Sequence, residues 1–215
     1  MIEILAGCVA GATILCVRRL VDERRLLSMA RHPAPTFVFA DLVGYTELTE
    51  RRGDDAAARV AHEFWRAMSA LCREHGARQV KAMGDGAMIW APDAGRAVTL
   101  AASAVQELGT RDDLLPVRVG VHTGPAVMRG GDWYGGAVNL AARLAAAAEP
   151  NQALVSGATR AAAKTGPNWP ARSRRELALA GVQRPTVAWA MTANAGSRRR
   201  AGARSDGRII ASFAS

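Results

Sequence analysis

The chain has 215 residues, 49% hydrophobic and 22% charged, enough for one globular domain with a real core and short appendages. Its net charge is +9, but the arginines gather at both ends (Arg18, Arg19, Arg24 and Arg25; then Arg198, Arg199, Arg200, Arg204 and Arg208), which argues against a single nucleic-acid-binding face. Cys8, Cys16 and Cys72 form no CxxC pair, so neither a zinc site nor a disulfide framework is expected, and a reducing compartment fits.

In chain order, Ile4 to Val17 is an uncharged, mostly apolar run of 14 residues followed by Arg18-Arg19. A spanning helix needs about 20 such residues. The run is read either as a short anchor with its arginines on the cytoplasmic side or as a soluble helix packed on a partner, so membrane contact through residues 1–20 stays open. Residues 18–31 form a charged helical stem, broken by His32-Pro33-Ala34-Pro35. Three segments follow from this: an N-terminal apolar segment and stem (1–35), a compact domain on the cytoplasmic side (36–192), and a basic, disordered tail (193–215).

Inside the domain, Thr36-Phe37-Val38-Phe39-Ala40 is a buried strand running into Asp41. Val60, Phe64, Ala67, Met68 and Leu71 recur at helical spacing. Residues 77–83 and 87–91 form a hairpin around Asp85-Gly86. Asp93 caps a second helix that extends to about Leu108. Residues 116–128 are strand-like, Gly135-Gly136 opens a third helix, and 152–156 and 185–191 are later strands. The order strand–helix–strand–strand–helix–strand predicts an α+β, ferredoxin-like (βαββαβ) domain with an antiparallel-centred sheet.

That topology places Asp41 and Asp85 at the same edge of the sheet. Two carboxylates there suit hard cations such as Mg²⁺. Leu42-Val43-Gly44-Tyr45-Thr46 turns into a short helix, and backbone N–H groups at a helix start cradle phosphate. Read singly, each feature has a plainer explanation: Asp85-Gly86 as a turn, Asp41 as a helix cap. Asn139 and Arg143, four positions apart, share one helical face, and arginine offers phosphate a planar fork. Lys81 only donates and ionised Asp132 only accepts, which is complementary to adenine N1 and its 6-amino group and reversed for guanine. Alone, Asp132 reads as a loop residue beside Gly130-Gly131.

The segments Phe39-Ala40-Asp41-Leu42-Val43-Gly44-Tyr45-Thr46, Lys81-Ala82-Met83-Gly84-Asp85-Gly86, Gly120-Val121-His122-Thr123-Gly124 and Gly131-Asp132-Trp133-Tyr134-Gly135-Gly136-Ala137-Val138-Asn139-Leu140-Ala141-Ala142-Arg143-Leu144, in this order, resemble the catalytic domain of class III adenylate/guanylate cyclases. The resemblance spans residues 36–192 and is looser in the closing stretch, Leu177 to Val182 and Pro185 to Trp189. It implies that Asp41 and Asp85 bind two metal ions per site (Mg²⁺ or Mn²⁺), that Lys81 and Asp132 select adenine, that Asn139 orients the ribose, and that Arg143 stabilises the transition state. Gly44, Tyr45 and Thr46 would hold the phosphates. His122 lies in a family motif but is read as structural. The implied reaction is ATP to 3′,5′-cyclic AMP and pyrophosphate. The implied assembly is a head-to-tail homodimer, because the family's site lies between two domains and this chain carries both half-sets. A non-catalytic nucleotide-binding or dimerisation module on the same scaffold is the competing expectation. A palm enzyme making dinucleotides would share the aspartates but leave Lys81–Asp132 and Asn139–Arg143 without a purpose.

Overall fold

The structure, a computed structural model, describes residues 34–163 and 173–192. The expectations for the apolar segment and stem, apart from residues 34 and 35, and for the tail lie outside the described residues. Among the described residues no helix is long and apolar enough to cross a membrane.

The central strand β1 (Thr36–Leu42) is apolar along nearly its whole length because both faces of the sheet are covered. Phe37 packs with Met88, Ala137, Val138 and Ala141 on one side, while Val38, Ala40 and Leu42 join the larger core on the other. A turn leads to α1 (Tyr45–Arg52) and then α2 (Asp54–Glu74), whose buried stripe is Ala57, Ala61, Phe64, Met68, Leu71 and Cys72. That stripe carries the expected period, with Val60 and Ala67 packed at its margin.

The hairpin β2 (Arg78–Met83) and β3 (Gly86–Ala91) follows, and then α3 (Ala94–Ser103), capped by Asp93, which accepts from the Arg96 N–H at 2.9 Å. The expected single helix to Leu108 changes pitch here, because residues 104–108 form a π-helical turn that buries Ala104, Val105 and Leu108. Next come β4 (Val117–Thr123), a two-stranded flap of β5 (Val127–Arg129) and β6 (Asp132–Tyr134), and α4 (Gly136–Ala147). The chain closes with β7 (Gln152–Ser156), α5 (Gly157–Ala162), β8 (Ser173–Leu177) and β9 (Thr186–Thr192).

The main sheet runs β2-β3-β1-β4-β7-β9-β8. β1 is antiparallel to both β3 and β4, so the first four strands make the expected ferredoxin-like centre. β7 joins parallel to β4, and β9 and β8 extend the sheet antiparallel. Helices α2 and α3 cover one face; α4 and the flap cover the other. Gly120 of β4 makes the second layer possible, since a Cβ there would come within 2.2 Å of Ala141 O and Ala145 N. Among the described residues, the large hydrophobic side chains left exposed are Met83, Val127, Met128 and Tyr134, three of them on the flap.

Candidate active site

Strand alternation decides which face each site residue occupies. Phe37 points to the α4 layer, and so Phe39 and Asp41 do too. Asp41 opposes Gly86 on β3 and Arg118 on β4. Gly86 leaves the space that Asp41 fills, because a Cβ there would lie 3.3 Å from Asp41 Oδ1.

The two-residue loop of the hairpin is Gly84-Asp85, with Met83 paired to Gly86, rather than the expected Asp85-Gly86. Gly84 takes the left-handed conformation (φ +61°) at the first central position, where type II′ turns require glycine. The Asp85 carbonyl accepts from the Leu42 N–H at 3.2 Å, which ties the tip to the end of β1. Burial, followed by the negative charge of Asp41, pushes the Asp85 carboxyl above its usual value. The two carboxylates therefore sense each other across the tip.

Lys81 owes its placement to a bulge. Gln79 pairs with Ile89 but Lys81 pairs with Met88, so Val80 is the extra residue. In a regular ladder Lys81 would oppose Ala87, on the face of the large core. The bulge turns it to the α4 face, where Met88 packs and where Val80 also rests. β2 is an edge strand, and Lys81 is exposed rather than buried in its run. Its Nζ donates to Asp132 Oδ2 at 2.6 Å, while Asp132 Oδ1 accepts from the Trp133 N–H at 2.8 Å. The ammonium of Lys81, seconded by that N–H, holds the Asp132 carboxyl below its ordinary value. Asp132 ends the Gly130-Gly131 turn, both glycines having positive φ. Trp133 is anchored beneath, edge-on to Phe37 at 5.5 Å and stacked on Trp90 at 6.4 Å.

Asn139 and Arg143 lie one turn apart on α4, with Asn139 exposed and Arg143 half-buried. No hydrogen bond or ion pair among the described residues engages either head group. The Arg143 guanidinium lies over the Gly181 turn, where a Cβ would come within 2.9 Å of Nη2. At the start of α1, Gly44 occupies the N-cap at φ +86°, and no side chain caps the helix. The first-turn N–H groups, including those of Tyr45 and Thr46, thus face outward for an anion. Tyr45 and Gly84 also line a cleft of about 780 Å³ between α1, α2 and the hairpin tip.

Asp41, Lys81, Asp132, Asn139 and Arg143 thus belong to the α4 side of the sheet, with Asp85 at its edge. The structure joins Asp41 with Asp85, and Lys81 with Asp132, as two separate pairs. Sequence reasoning missed Arg118. Its Nε donates to Asp41 Oδ2 at 2.9 Å, and Nη2 donates to the same oxygen. An arginine in the otherwise apolar run Val117 to Val121 was the available signal. His122 is half-buried and bonded through Nδ1 to Ser156 Oγ at 2.8 Å, and burial pushes its pKa down. It serves a hydroxyl chain with Thr159 and Thr123 inside the fold.

The donor set fits hard divalent cations: two carboxylates, one oxygen of Asp41 free of Arg118, and a glycine that keeps the space open. Among the described residues no group of three or more His, Cys, Asp or Glu side chains is placed to hold a metal.

The profile of the "Adenylate and Guanylate cyclase catalytic domain" family matches residues 27–193. The chain belongs to this family. A protein of Mycobacterium tuberculosis of unassigned function is 35% identical over 160 residues, covering 74% of this chain and 42% of its own length. An adenylate cyclase of Streptomyces griseus is 35% identical over 124 residues, covering 58% of this cyclase domain chain and 31% of its own. The chain therefore spans less than half the length of these relatives. The crystal structure of the adenylyl cyclase CyaB from P. aeruginosa shares the fold at 22% identity, with a TM-score of 0.61 over 76% of this chain and 96% of that one.

Proposed function

We propose that this cyclase domain is an adenylate cyclase that converts ATP to 3′,5′-cyclic AMP and pyrophosphate at sites shared between two copies of the chain. The observation that carries the choice of nucleotide is the Lys81–Asp132 pair. The bulge at Val80 and the stacked Trp133 hold a donor beside an acceptor on an open face. Adenine matches that pair and guanine opposes it.

The other residues take roles their positions support. Asp41 and Asp85 would hold the divalent cations, Mg²⁺ or Mn²⁺, two per site. When bound, such cations lower the pKa of the ribose 3′-hydroxyl and neutralise phosphate charge. The uncapped N–H groups of Gly44, Tyr45 and Thr46 would receive the polyphosphate. Asn139 would orient the ribose. Arg143 would offset charge that grows on the α-phosphoryl group as the 3′-oxygen attacks in line with departing pyrophosphate.

The pairing of copies follows from the layout. Lys81 lies on β2 and Asp41 on β1, with β3 between them, so two inter-strand spacings, about 10 Å, separate the two stations. In one chain the base-reading pair and the carboxylate pair are separate stations. A second copy facing the α4 side, covering Met83 and the flap, brings the station of one chain to the other's, twice over.

The test is to incubate purified protein with ATP or GTP and Mg²⁺ or Mn²⁺ and identify the product. Cyclic AMP from ATP is expected. A dinucleotide, cyclic GMP in excess, or intact ATP with stoichiometric binding would each overturn the reading.

A further inference from the structure

Arg118 stands directly across the β1–β4 ladder from Asp41. Both side chains are about 30% exposed, and two of the arginine's nitrogens converge on a single carboxylate oxygen, Oδ2. The third nitrogen, Nη1, reaches the Ala146 carbonyl near the end of α4 at 3.4 Å. The guanidinium is thereby held from both ends, by the sheet and by the helix. Asp85 lies close enough for the charge of Arg118 to lower its carboxyl, opposing burial and Asp41. Two carboxylates at the tip thus share one built-in cation.

We infer that Arg118 is the internal counter-ion of the Asp41–Asp85 pair and competes with divalent cations for the negative charge of Asp41, so that the chain without nucleotide binds such cations poorly. This rests on the proposed reading of the two aspartates as metal-holding groups. The competition is physical: a cation seated on Asp85 and the free Oδ1 of Asp41 meets the positive charge that the guanidinium holds on Oδ2 of the same carboxylate. Polyphosphate supplies what the chain lacks, since it offers anionic oxygens to the arginine and to the cation together. Arg118 is a positioning residue in this account. It keeps Asp41 aimed at the tip and makes cation loading wait for nucleotide.

The experiment is titration of the full chain with Mn²⁺ alone, free Mn²⁺ being read by electron paramagnetic resonance. Arg118→Gln is expected to bind Mn²⁺ at least about fivefold more tightly than the wild type, as the loss of a charge-assisted competitor requires. Arg118→Lys, which keeps a charge but loses the fork, is expected to fall between them and to decide the matter where Arg118→Gln does not fold. Adding Asp41→Asn to Arg118→Gln is expected to remove the gain. Unchanged or weaker Mn²⁺ binding in both arginine variants, in protein whose wild type still makes cyclic AMP, overturns the inference alone. No Mn²⁺ binding in any variant, with or without ATP, and no product overturns the reading of the aspartates beneath it.

Discussion

Lys81 Nζ and Asp132 Oδ2 meet at 2.6 Å although 51 positions separate the two residues in the chain. One comes from the edge strand of the main sheet and the other from the flap, and a single extra residue in β2 brings them together. Exchange of the pair, Lys81→Glu with Asp132→Cys, reverses the hydrogen-bond pattern offered to a purine. kcat/KM for ATP is expected to fall about 10- to 150-fold, the cost of one mismatched bond to a charged group, with GTP gaining relative to ATP. Steady-state rates on both nucleotides check this. An unchanged ATP-to-GTP ratio would show that the pair does not read the base.

Asp85→Ala and Arg143→Ala are each expected to be nearly inactive. Mixed in equal amounts under conditions that exchange subunits, they should recover about a quarter of wild-type activity, because half the dimers are mixed and each of those has one intact site of two. Exchange confirmed by mass labels without recovery would show that the two half-sets act within one chain.

Gly181 supports Arg143 from below at φ +67°. Gly181→Ala costs about 1–2 kcal/mol in that left-handed conformation, and its methyl presses on Nη2. A purely structural effect lowers the melting temperature only. The geometry here is expected to lower kcat as well, by about tenfold, with little change in KM for ATP, as follows when a group active in the transition state is displaced. Kinetics and thermal melts of the same variant separate the two outcomes.

Asp85 carries a pH dependence of stability. Its ordinary pKa is 3.8, and burial with the charge of Asp41 raises it in the folded chain. The folded state therefore holds this proton more tightly than the unfolded chain. The associated stability is complete below pH 3.8 and is lost as pH climbs through the higher folded value. In chelator, Asp85→Asn is expected to melt above the wild type at pH 7, with the difference closing by about pH 3.5. A difference independent of pH would mean that repulsion at the tip is not its cause.

The ferredoxin-like centre was legible because its signals are strong and local. The period of Phe64, Met68 and Leu71, the apolar run of β1 and the Asp93 cap each point one way. The aspartate edge followed from topology alone. What escaped were features set by tertiary contact. The Val80 bulge has no marker in the sequence, since valine suits a regular strand equally well, yet it decides which face Lys81 joins. Residues 104–108 keep a helical composition and widen only as Val105 and Leu108 settle into the core. The role of Arg118 appears only when β4 is laid beside β1. The flap was short enough, at three residues per strand, to vanish into a loop.

The bare methionines, valine and tyrosine along Met83 and the flap have a bearing on dosage. For an enzyme whose complementary halves meet only when two molecules associate, halving the number of molecules in the dilute regime leaves about a quarter of the working pairs. On the proposed assembly, product output then rises more steeply than protein abundance, so that a small change in the amount of this chain is amplified in its product.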